Sequence, residues 1–189
     1  MWETLIQYDK ELFLMLNNMG TSTWDAFWMF LTHKLSSIPL YALLLFLSFK
    51  KFGLRATLLL LIAVALMITA TNGLADFFKY GVQRLRPCFD PDLSDAFRLV
   101  KSHCGGKYGY FSAHAANTSA VAMFFLMLLK SKFRFIGIFL MAWAFLVAYS
   151  RIYIGVHFPL DVLSGIGIGL IFGWIFAKLY IFALFRFPK

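Results

Sequence analysis

Long apolar segments separated by short basic clusters constrain the fold of this chain more than any other feature. Of its 189 residues, 61% are hydrophobic, which is more apolar surface than a soluble domain of this length can bury. The sequence therefore predicts an integral membrane protein, and its length predicts a single domain over residues 1–189. The net charge of +9 does not indicate a nucleic-acid partner, because the basic residues lie at the edges of apolar runs.

Five apolar segments are long enough, or nearly so, to cross a bilayer as helices. The predicted fold class is an all-α membrane bundle of about five spans, with a transmembrane core over residues 36–185 and an outer loop over residues 80–111. A sixth crossing within residues 12–33 is the alternative. The predicted spans are Ser36–Phe49, Ala56–Phe78, Ser112–Leu129, Phe133 or Phe135 to Tyr149, and Pro159–Leu184, with a short loop over Arg151–Phe158 before the last one.

Residues 1–33 mix apolar and charged side chains, a pattern typical of amphipathic helices that lie in the membrane interface. We predict a break between two such helices at Gly20-Thr21-Ser22. In the last span, small residues recur every four positions and predict a smooth ridge against which another helix packs closely. The ridge consists of Gly165, Gly169, Gly173 and Ala177.

Basic clusters in the short loops set the predicted orientation. Under the five-span model two such clusters and the basic C-terminus fall on one side, which the positive-inside rule makes cytoplasmic. The outer loop and the loop before the last span then face outward. One cluster is Lys50, Lys51 and Arg55, and the other is Lys130, Lys132 and Arg134.

Cys88 and Cys104 both fall in the outer loop, on the side where disulfides persist, and we predict a disulfide between them. Two free thiols are the alternative, which titration of the denatured, non-reduced protein distinguishes. No cluster of Cys and His with metal-ligand spacing occurs in the sequence, so no metal site is predicted.

Three cations, Lys79, Arg86 and Arg151, lie at the predicted outer ends of helices. Each one alone is most simply explained by snorkelling to the interface. Their shared side, together with two histidines, favours a phosphate-binding site. Arg offers a planar fork to phosphate oxygens, and Lys offers a point charge.

His114 lies just inside the start of an apolar helix that Ser112 can cap, and the free N–H groups of such a helix end receive anions. His157 precedes Asp161 by four residues, and a carboxylate in reach of an imidazole fixes its tautomer and stabilises its cationic form. For His114 the alternative is an interfacial histidine without a chemical role. For Asp161 it is a helix cap or a partner of Arg151.

Other polar residues are interpreted more simply. His33-Lys34 is predicted to anchor the chain at the interface, and His103 to lie in a solvated loop. Four further cations of the outer loop either steer anions inward or form a solvated face. They are Arg84, Arg98, Lys101 and Lys107.

The combined motifs resemble those of the type 2 phosphatidic acid phosphatase (PAP2) family, which also includes vanadium haloperoxidases and bacterial acid phosphatases. The family usually has Pro and Gly where this chain has Phe111 and Ala113. The matching residues are Lys79-x6-Arg86-Pro87, Ser112 and His114, and Ser150-Arg151-x5-His157-x3-Asp161.

The resemblance implies that His157 attacks phosphorus to form a phosphohistidine, that Asp161 orients it, and that His114 protonates the leaving oxygen and then assists water. It implies no cofactor. The non-bridging oxygens are expected to contact Lys79, Arg86, Arg151, Ser112 and the backbone N–H of Ala113.

The resemblance therefore predicts a lipid phosphatase in a bacterial cytoplasmic membrane, with its site facing the periplasm or exterior. Undecaprenyl diphosphate is the first expected substrate. Lipid A is the alternative, followed by phosphatidylglycerophosphate and phosphatidic acid. A transporter is disfavoured because segments such as Ala56–Thr71 and Phe135–Ala148 contain no ionisable side chain in mid-membrane. A haloperoxidase and a non-catalytic lipid-binding relative are the remaining alternatives.

Overall fold

The computed structural model describes residues 2–94, 96–130 and 135–186, which form an all-helical bundle. Three predicted features fall on residues outside these ranges: the cations Lys132 and Arg134, the alternative span start at Phe133, and the terminal cation Lys189. Short 3-10 turns occur at Lys34–Ser37, Pro87–Phe89 and Pro91–Leu93. The α-helices are α1 (Trp2–Asn18), α2 (Ser22–Thr32), α3 (Ile38–Val82), α4 (Ala113–Leu129), α5 (Ile136–Tyr153) and α6 (Pro159–Arg186).

Helix α3 comprises two arms, residues 38–52 and 54–82, which are separated at Gly53. Gly53 has φ 80° and ψ 176°, a conformation that favours glycine over any residue with a Cβ. The arms fold back on each other, since Leu44 and Leu60 line one cavity with Tyr41 and Ile68. The predicted break near residue 50 is therefore confirmed, but the helix continues past Phe49 to residue 52 before it turns.

Five apolar helical segments thus cross the bundle. The segments long and apolar enough to span a membrane are Lys34–Val82, Ile136–Tyr153 and Pro159–Arg186, and the first contains both arms of α3. Helix α4 is a shorter apolar helix at the centre of the bundle. Large apolar side chains such as Ile62 and Phe182 are more than half exposed, as expected for surfaces that face lipid.

The predicted glycine ridge of α6 packs directly on α4. A Cβ added at Gly165 would lie 2.6 Å from the carbonyl oxygen of Ser112, and one at Gly169 or Gly173 would overlap the carbonyl oxygens of Ala116 or Ala120. The two backbones approach so closely because no side chain separates them. This contact fixes the start of α4 beside the start of α6, where the polar motifs lie.

The basic turn between the arms of α3 lies beside the far end of α4. Lys51 donates a hydrogen bond from Nζ to the carbonyl oxygen of Leu128 at 2.6 Å. Lys130 follows as the C-terminal cap of α4. The described parts of both predicted cytoplasmic clusters therefore share one end of the bundle.

Helices α1 and α2 are separated at residues 19–21, as the sequence predicts. Asn17 joins α1 to the end of α5, because its Nδ2 donates to the carbonyl oxygens of Ile152 and Tyr153 at 3.1 and 2.8 Å. The Trp28 ring of α2 packs on those of Tyr149 and Tyr153, each with ring centroids 5.1 Å apart. Their interfacial position stays a prediction.

The predicted end of the fourth span is wrong. Helix α5 continues past Tyr149 to Tyr153, so Arg151 lies in its last turn and the loop before α6 is residues 154–158. The helix ends where Gly155 adopts φ 81°. Nothing in the sequence from Ser150 to Tyr153 opposes a helix, and glycine supplies the reversal that ends it.

Candidate active site

The polar motifs converge at one end of the bundle around a cavity of about 610 Å³. The end of α3, the start of α4, the end of α5 and the loop before α6 form its walls, and the outer loop covers it. Most of the predicted site residues line this cavity, namely Lys79, Arg86, Ala113, His114, Arg151 and His157.

His157 and Asp161 form the most deeply buried part of the site. Nδ1 of His157 lies 3.5 Å from Oδ2 of Asp161, and both side chains are almost inaccessible. At this separation the contact is electrostatic and not a closed hydrogen bond, and such contacts commonly tighten when substrate binds. Since Nδ1 faces the carboxylate, Nε2 is the nitrogen available to the cavity.

Burial determines the protonation state of His157. It lowers the pKa of the imidazole to about 4, and the neighbouring Asp161 opposes this effect without overcoming it. His157 is therefore neutral at neutral pH, the form in which an imidazole nitrogen acts as a nucleophile.

Asp161 also caps the start of helix α6. Its Oδ2 accepts a hydrogen bond from the backbone N–H of Phe158 at 3.1 Å, which is the capping role considered from the sequence. Its Oδ1 accepts from Arg84 at 2.8 Å. The partner proposed from the sequence, Arg151, is instead bound to Thr32. Orientation of His157 and helix capping are thus carried out by one carboxylate.

The two arginines of the site are held by their surroundings. Arg151 is buried, its Nη1 donates to Oγ1 of Thr32 at 2.6 Å, and its Nε has no partner among the described residues. Arg86 donates from Nε to the carbonyl oxygen of Tyr108 and from Nη1 to that of Cys104, at 3.1 and 2.7 Å. Each guanidinium is pre-oriented, which limits the entropy lost when it binds an anion.

Lys79 is held less firmly than the two arginines. Its Nζ lies 2.9 Å from Oδ1 of the exposed Asp76 on the same helix, while the lysine lines the cavity. Exposed ion pairs of this kind contribute little stability. Lys79 can therefore exchange Asp76 for an anionic ligand at small cost.

The start of α4 presents its N-terminus to the cavity. Ser112 caps the helix as predicted, since its Oγ accepts from the N–H of Ala115 at 3.5 Å, and its own N–H donates to the carbonyl oxygen of Asp161 at 2.9 Å. Ser112 is completely buried, whereas Ala113 and His114 line the cavity. The structure therefore gives Ser112 a role in holding α4 against α6.

Phe111, where the family usually has Pro, is a core residue in this chain. Its side chain is completely buried, and its ring centroid lies 5.8 Å from that of Phe78 on α3. The aromatic pair fixes the entry to α4 against α3.

Several polar residues near the site were assigned other roles from the sequence. His33 and Lys34 line the cavity instead of serving only as anchors, because α2 ends at Thr32 directly over Arg151. Lys101 of the outer loop also lines it, while Arg98 pairs with Asp25 at 2.9 Å. These placements depend on how α2 and the loop fold over the bundle, and no local pattern signals them.

Arg84 is the residue whose role the sequence analysis missed most clearly. It is neither a steering cation nor part of a solvated face: its guanidinium bridges Asp161 and Asp9 of α1. The available signal was its place between Lys79 and Arg86 in the first motif. The second partner lies 75 residues earlier in the chain and gave no signal.

The outer loop is closed by a disulfide between Cys88 and Cys104, whose Cα atoms lie 6.2 Å apart. The carbonyl oxygen of Cys104 accepts a hydrogen bond from Arg86. The covalent link therefore joins the two chain segments that orient this arginine. Among the described residues, no group of three or more His, Cys, Asp or Glu side chains could hold a metal ion.

Comparison with known proteins identifies a matching family and two relatives. The model of the PAP2 superfamily matches residues 57–184. The lipid A 4′-phosphatase of Bacteroides thetaiotaomicron is 35% identical over 179 residues, which cover 93% of this chain and 78% of that protein. The undecaprenyl-diphosphatase of Sulfolobus acidocaldarius is 30% identical over 175 residues, which cover 86% of this chain and 74% of that protein.

Two solved structures share the fold. The crystal structure of Aquifex aeolicus LpxE superposes with a TM-score of 0.66 at 31% identity, covering 89% of this chain and 93% of that one. A PAP2-type phosphatidylglycerolphosphate phosphatase from Bacillus subtilis gives a TM-score of 0.73 at 22% identity, covering 98% and 90% of the two chains. At this lower identity the second match shows the fold alone.

Proposed function

The chain belongs to the PAP2 superfamily and is a membrane lipid phosphatase, and from that premise we propose that its substrate is a phosphorylated glycolipid of the lipid A type. The relative that matches at 35% identity over most of this chain is a lipid A 4′-phosphatase. The undecaprenyl-diphosphatase relative is more distant, at 30%. The first substrate expected from the sequence, undecaprenyl diphosphate, is therefore not favoured.

The 35% identity to a lipid A 4′-phosphatase carries the choice of lipid, and the charge of the cavity is the observation that carries the binding of a phosphorylated headgroup. Among the described residues that line it there are five cations and three histidines, and no carboxylate. Lys101 shows the effect of this crowding, because burial and the nearby charges of Arg151, Arg86 and Lys34 lower its pKa. A headgroup with more than one anionic group neutralises such a site better than a single phosphate does.

The size of the cavity supports the same substrate class. Its volume of about 610 Å³ is that of a pocket for a drug-sized ligand and exceeds the space a phosphate needs. His33 and Lys34 line the part of the cavity that the segment after α2 supplies. This part provides room for a sugar or a second phosphate beside the reacting group.

In the proposed reaction, Nε2 of His157 attacks phosphorus, and the bond from phosphorus to the lipid oxygen breaks. His114 gives its proton to that oxygen, so the lipid leaves as an alcohol and a phosphohistidine remains. A water then attacks phosphorus, His114 accepts its proton, and phosphate leaves from Nε2. Asp161 stabilises the positive charge of the phosphorylated imidazole.

The cations stabilise the transition state. Negative charge gathers on the non-bridging oxygens as phosphorus becomes pentacoordinate. Arg86 and Arg151 are held by backbone and side-chain acceptors. Nε of Arg151 has no partner among the residues that the structure describes, and it is the proposed donor for one of these oxygens. The N-terminal N–H groups of α4 at Ala113 add a further electropositive surface.

A substrate panel tests the proposal. Phosphate release by the purified protein in detergent is measured with lipid A, undecaprenyl diphosphate, phosphatidylglycerophosphate and phosphatidic acid, and His157→Ala supplies the background rate. We expect the highest kcat/KM for lipid A, and mass spectrometry of the product identifies the phosphate removed. A preference for undecaprenyl diphosphate over lipid A would contradict the proposed substrate.

The site is proposed to open to the exterior of a bacterial cytoplasmic membrane. Lys50, Lys51 and Arg55 lie at the end of the bundle opposite the cavity, as the positive-inside rule requires for a cytoplasmic turn. A cysteine introduced at the exposed Ser102 is expected to react with an impermeant reagent in intact cells, and one at Leu54 is not. The reverse pattern would place the chemistry on the cytoplasmic side.

A further inference from the structure

A chain of buried ionic contacts leads from the catalytic pair to the N-terminal helix. We propose that Asp9 of α1 is a positioning residue of the phosphatase, which acts on His157 through Arg84 and Asp161. This inference rests on the proposed function. It adds a residue to the reaction from a helix for which the sequence predicts a position in the membrane interface.

Arg84 is held between the two carboxylates. Its Nη1 lies 2.8 Å from Oδ1 of Asp161, and its Nη2 lies 2.5 Å from Oδ2 of Asp9. The guanidinium also lies 4.5 Å from the centroid of the Phe158 ring. Two acceptors and one aromatic face fix the plane of Arg84, and thereby the orientation of the Asp161 carboxylate that faces His157.

Both oxygens of Asp9 are used. While Oδ2 binds Arg84, Oδ1 accepts from the backbone N–H of Leu160 at 2.9 Å. Leu160 lies in the first turn of α6, one residue before Asp161. Asp9 therefore fixes both the side-chain partner of Asp161 and the backbone that carries it.

The charges in this chain explain why a second carboxylate is useful. An arginine paired with Asp161 alone would compensate its charge and weaken its attraction for a positively charged His157. Asp9 shares the guanidinium, so the three groups together keep one net negative charge next to the imidazole. That charge is needed when His157 becomes positive on phosphorylation.

Docking of α1 does not require a buried carboxylate. Lys10, the next residue, already pairs with Asp90 at 2.8 Å and Asp92 at 2.7 Å in the outer loop. Asp9 is only 4% exposed, and burial raises its pKa despite the hydrogen bond from Arg84. Burying a carboxylate is unfavourable unless it is paired and hydrogen-bonded, and the charged partner of Asp9 is Arg84.

The experiment compares Asp9→Asn with Lys10→Met in detergent-solubilised protein. Asp9→Asn keeps the size of the side chain and removes its charge, whereas Lys10→Met loosens the neighbouring attachment of α1 without touching Arg84. We expect Asp9→Asn to lower kcat by about tenfold or more. Losses of this size occur in metalloenzymes when a residue that orients a metal ligand is removed, and Asp9 is proposed to orient Asp161 in a comparable way. KM should change by less than about twofold, because the phosphate-binding cations are intact.

Rescue provides the second readout. Asp9→Glu restores the carboxylate and should recover most of the kcat lost in Asp9→Asn, with Lys10→Met near wild type. Equal losses in Asp9→Asn and Lys10→Met, or a wild-type kcat in Asp9→Asn, would overturn the proposal and leave the phosphatase assignment intact.

Two further outcomes are also decisive. If Asp9→Asn does not fold, kcat is measured for Arg84→Lys instead. Lysine keeps the positive charge but cannot hold both carboxylates in one plane. A wild-type kcat in folded Arg84→Lys would then overturn the proposal. An absence of phosphate release by the wild-type protein would overturn the proposed function itself, and this inference with it.

Discussion

Nδ1 of His157 lies 3.5 Å from Oδ2 of Asp161, across the first turn of helix α6. The same carboxylate oxygen caps that helix through the N–H of Phe158. The proposed nucleophile thus contacts a group whose position is set by the backbone of a long apolar helix. Sites supported in this way keep their geometry because the whole helix must move to disturb them.

Substitution of the two cavity histidines is expected to have different effects. His157→Ala should lower phosphate release by at least about 10³-fold, because no bond to phosphorus can form. His114→Ala should slow release by about 10²- to 10⁴-fold, and most for poor leaving groups, which need a proton from a general acid. Phosphate release from a series of phosphate esters whose leaving groups differ in pKa measures this difference. Near-normal turnover by His157→Ala would exclude His157 as the nucleophile.

The pH profile should reflect the depressed pKa of His157. Because burial lowers this pKa to about 4, the imidazole of the free enzyme stays neutral well below the usual range of histidine. The low-pH limb of kcat/KM that belongs to His157 should therefore lie near pH 4, and activity is lost as the pH falls through it. A limb of kcat/KM near pH 6.5 whose midpoint shifts in the Asp161→Asn variant would contradict this assignment.

Chelation is expected to leave activity unchanged. Arg86, Arg151 and Lys79 line the cavity, and we expect these side chains to stabilise the negative charge of the transition state without a metal ion. Phosphate release should therefore persist at the full rate in excess EDTA. Loss of activity on chelation that is restored by one added metal ion would show that the protein side chains are not sufficient.

Gly109 packs directly against the catalytic groups, so a methyl group there should reduce activity. A Cβ at this position would lie 2.9 Å from Cγ of Arg86 and 3.2 Å from Oδ2 of Asp161. Gly109→Ala should lower kcat/KM by about tenfold, since small displacements of catalytic groups are costly. Gly106→Ala in the same loop is the control, because its Cβ would meet nothing within 4 Å. Equal effects of the two changes would argue against this contact.

The ridge on α6 should be sensitive to a single methyl group. Gly169→Ala would overlap the backbone carbonyl of Ala116 and should destabilise the protein by about 1–3 kcal/mol. Gly167→Ala on the same helix has open space around its Cβ and should be neutral or slightly stabilising. Loss of helical circular dichroism on heating in detergent measures both. A Gly169→Ala variant as stable as Gly167→Ala would contradict the close packing.

The membrane fold follows from local patterns. Apolar runs with few charges, basic turns and a four-residue glycine repeat predict an all-helical membrane bundle and the α6 ridge without knowledge of the tertiary structure. Boundaries were less well predicted. The end of the fourth span was placed at Tyr149, four residues before the end of α5, because Arg151–Phe158 was interpreted as a loop.

The residues of the candidate site were also predicted only in part. His114, His157, Arg86 and Arg151 were identified because each lies in a short motif whose spacing the sequence displays. The roles of Asp9 and Arg84 and the cavity-lining positions of Lys34 and Lys101 were not, since they arise only when α1, α2 and the outer loop fold over the bundle. A carboxylate 75 residues from its arginine leaves no periodic or spacing signal. The sequence by itself determined the membrane bundle and pointed to the proposed reacting groups, because local helical period and motif spacing encode them. The tertiary structure decided which charges support those groups, because burial and pairing of charge depend on segments distant in the chain.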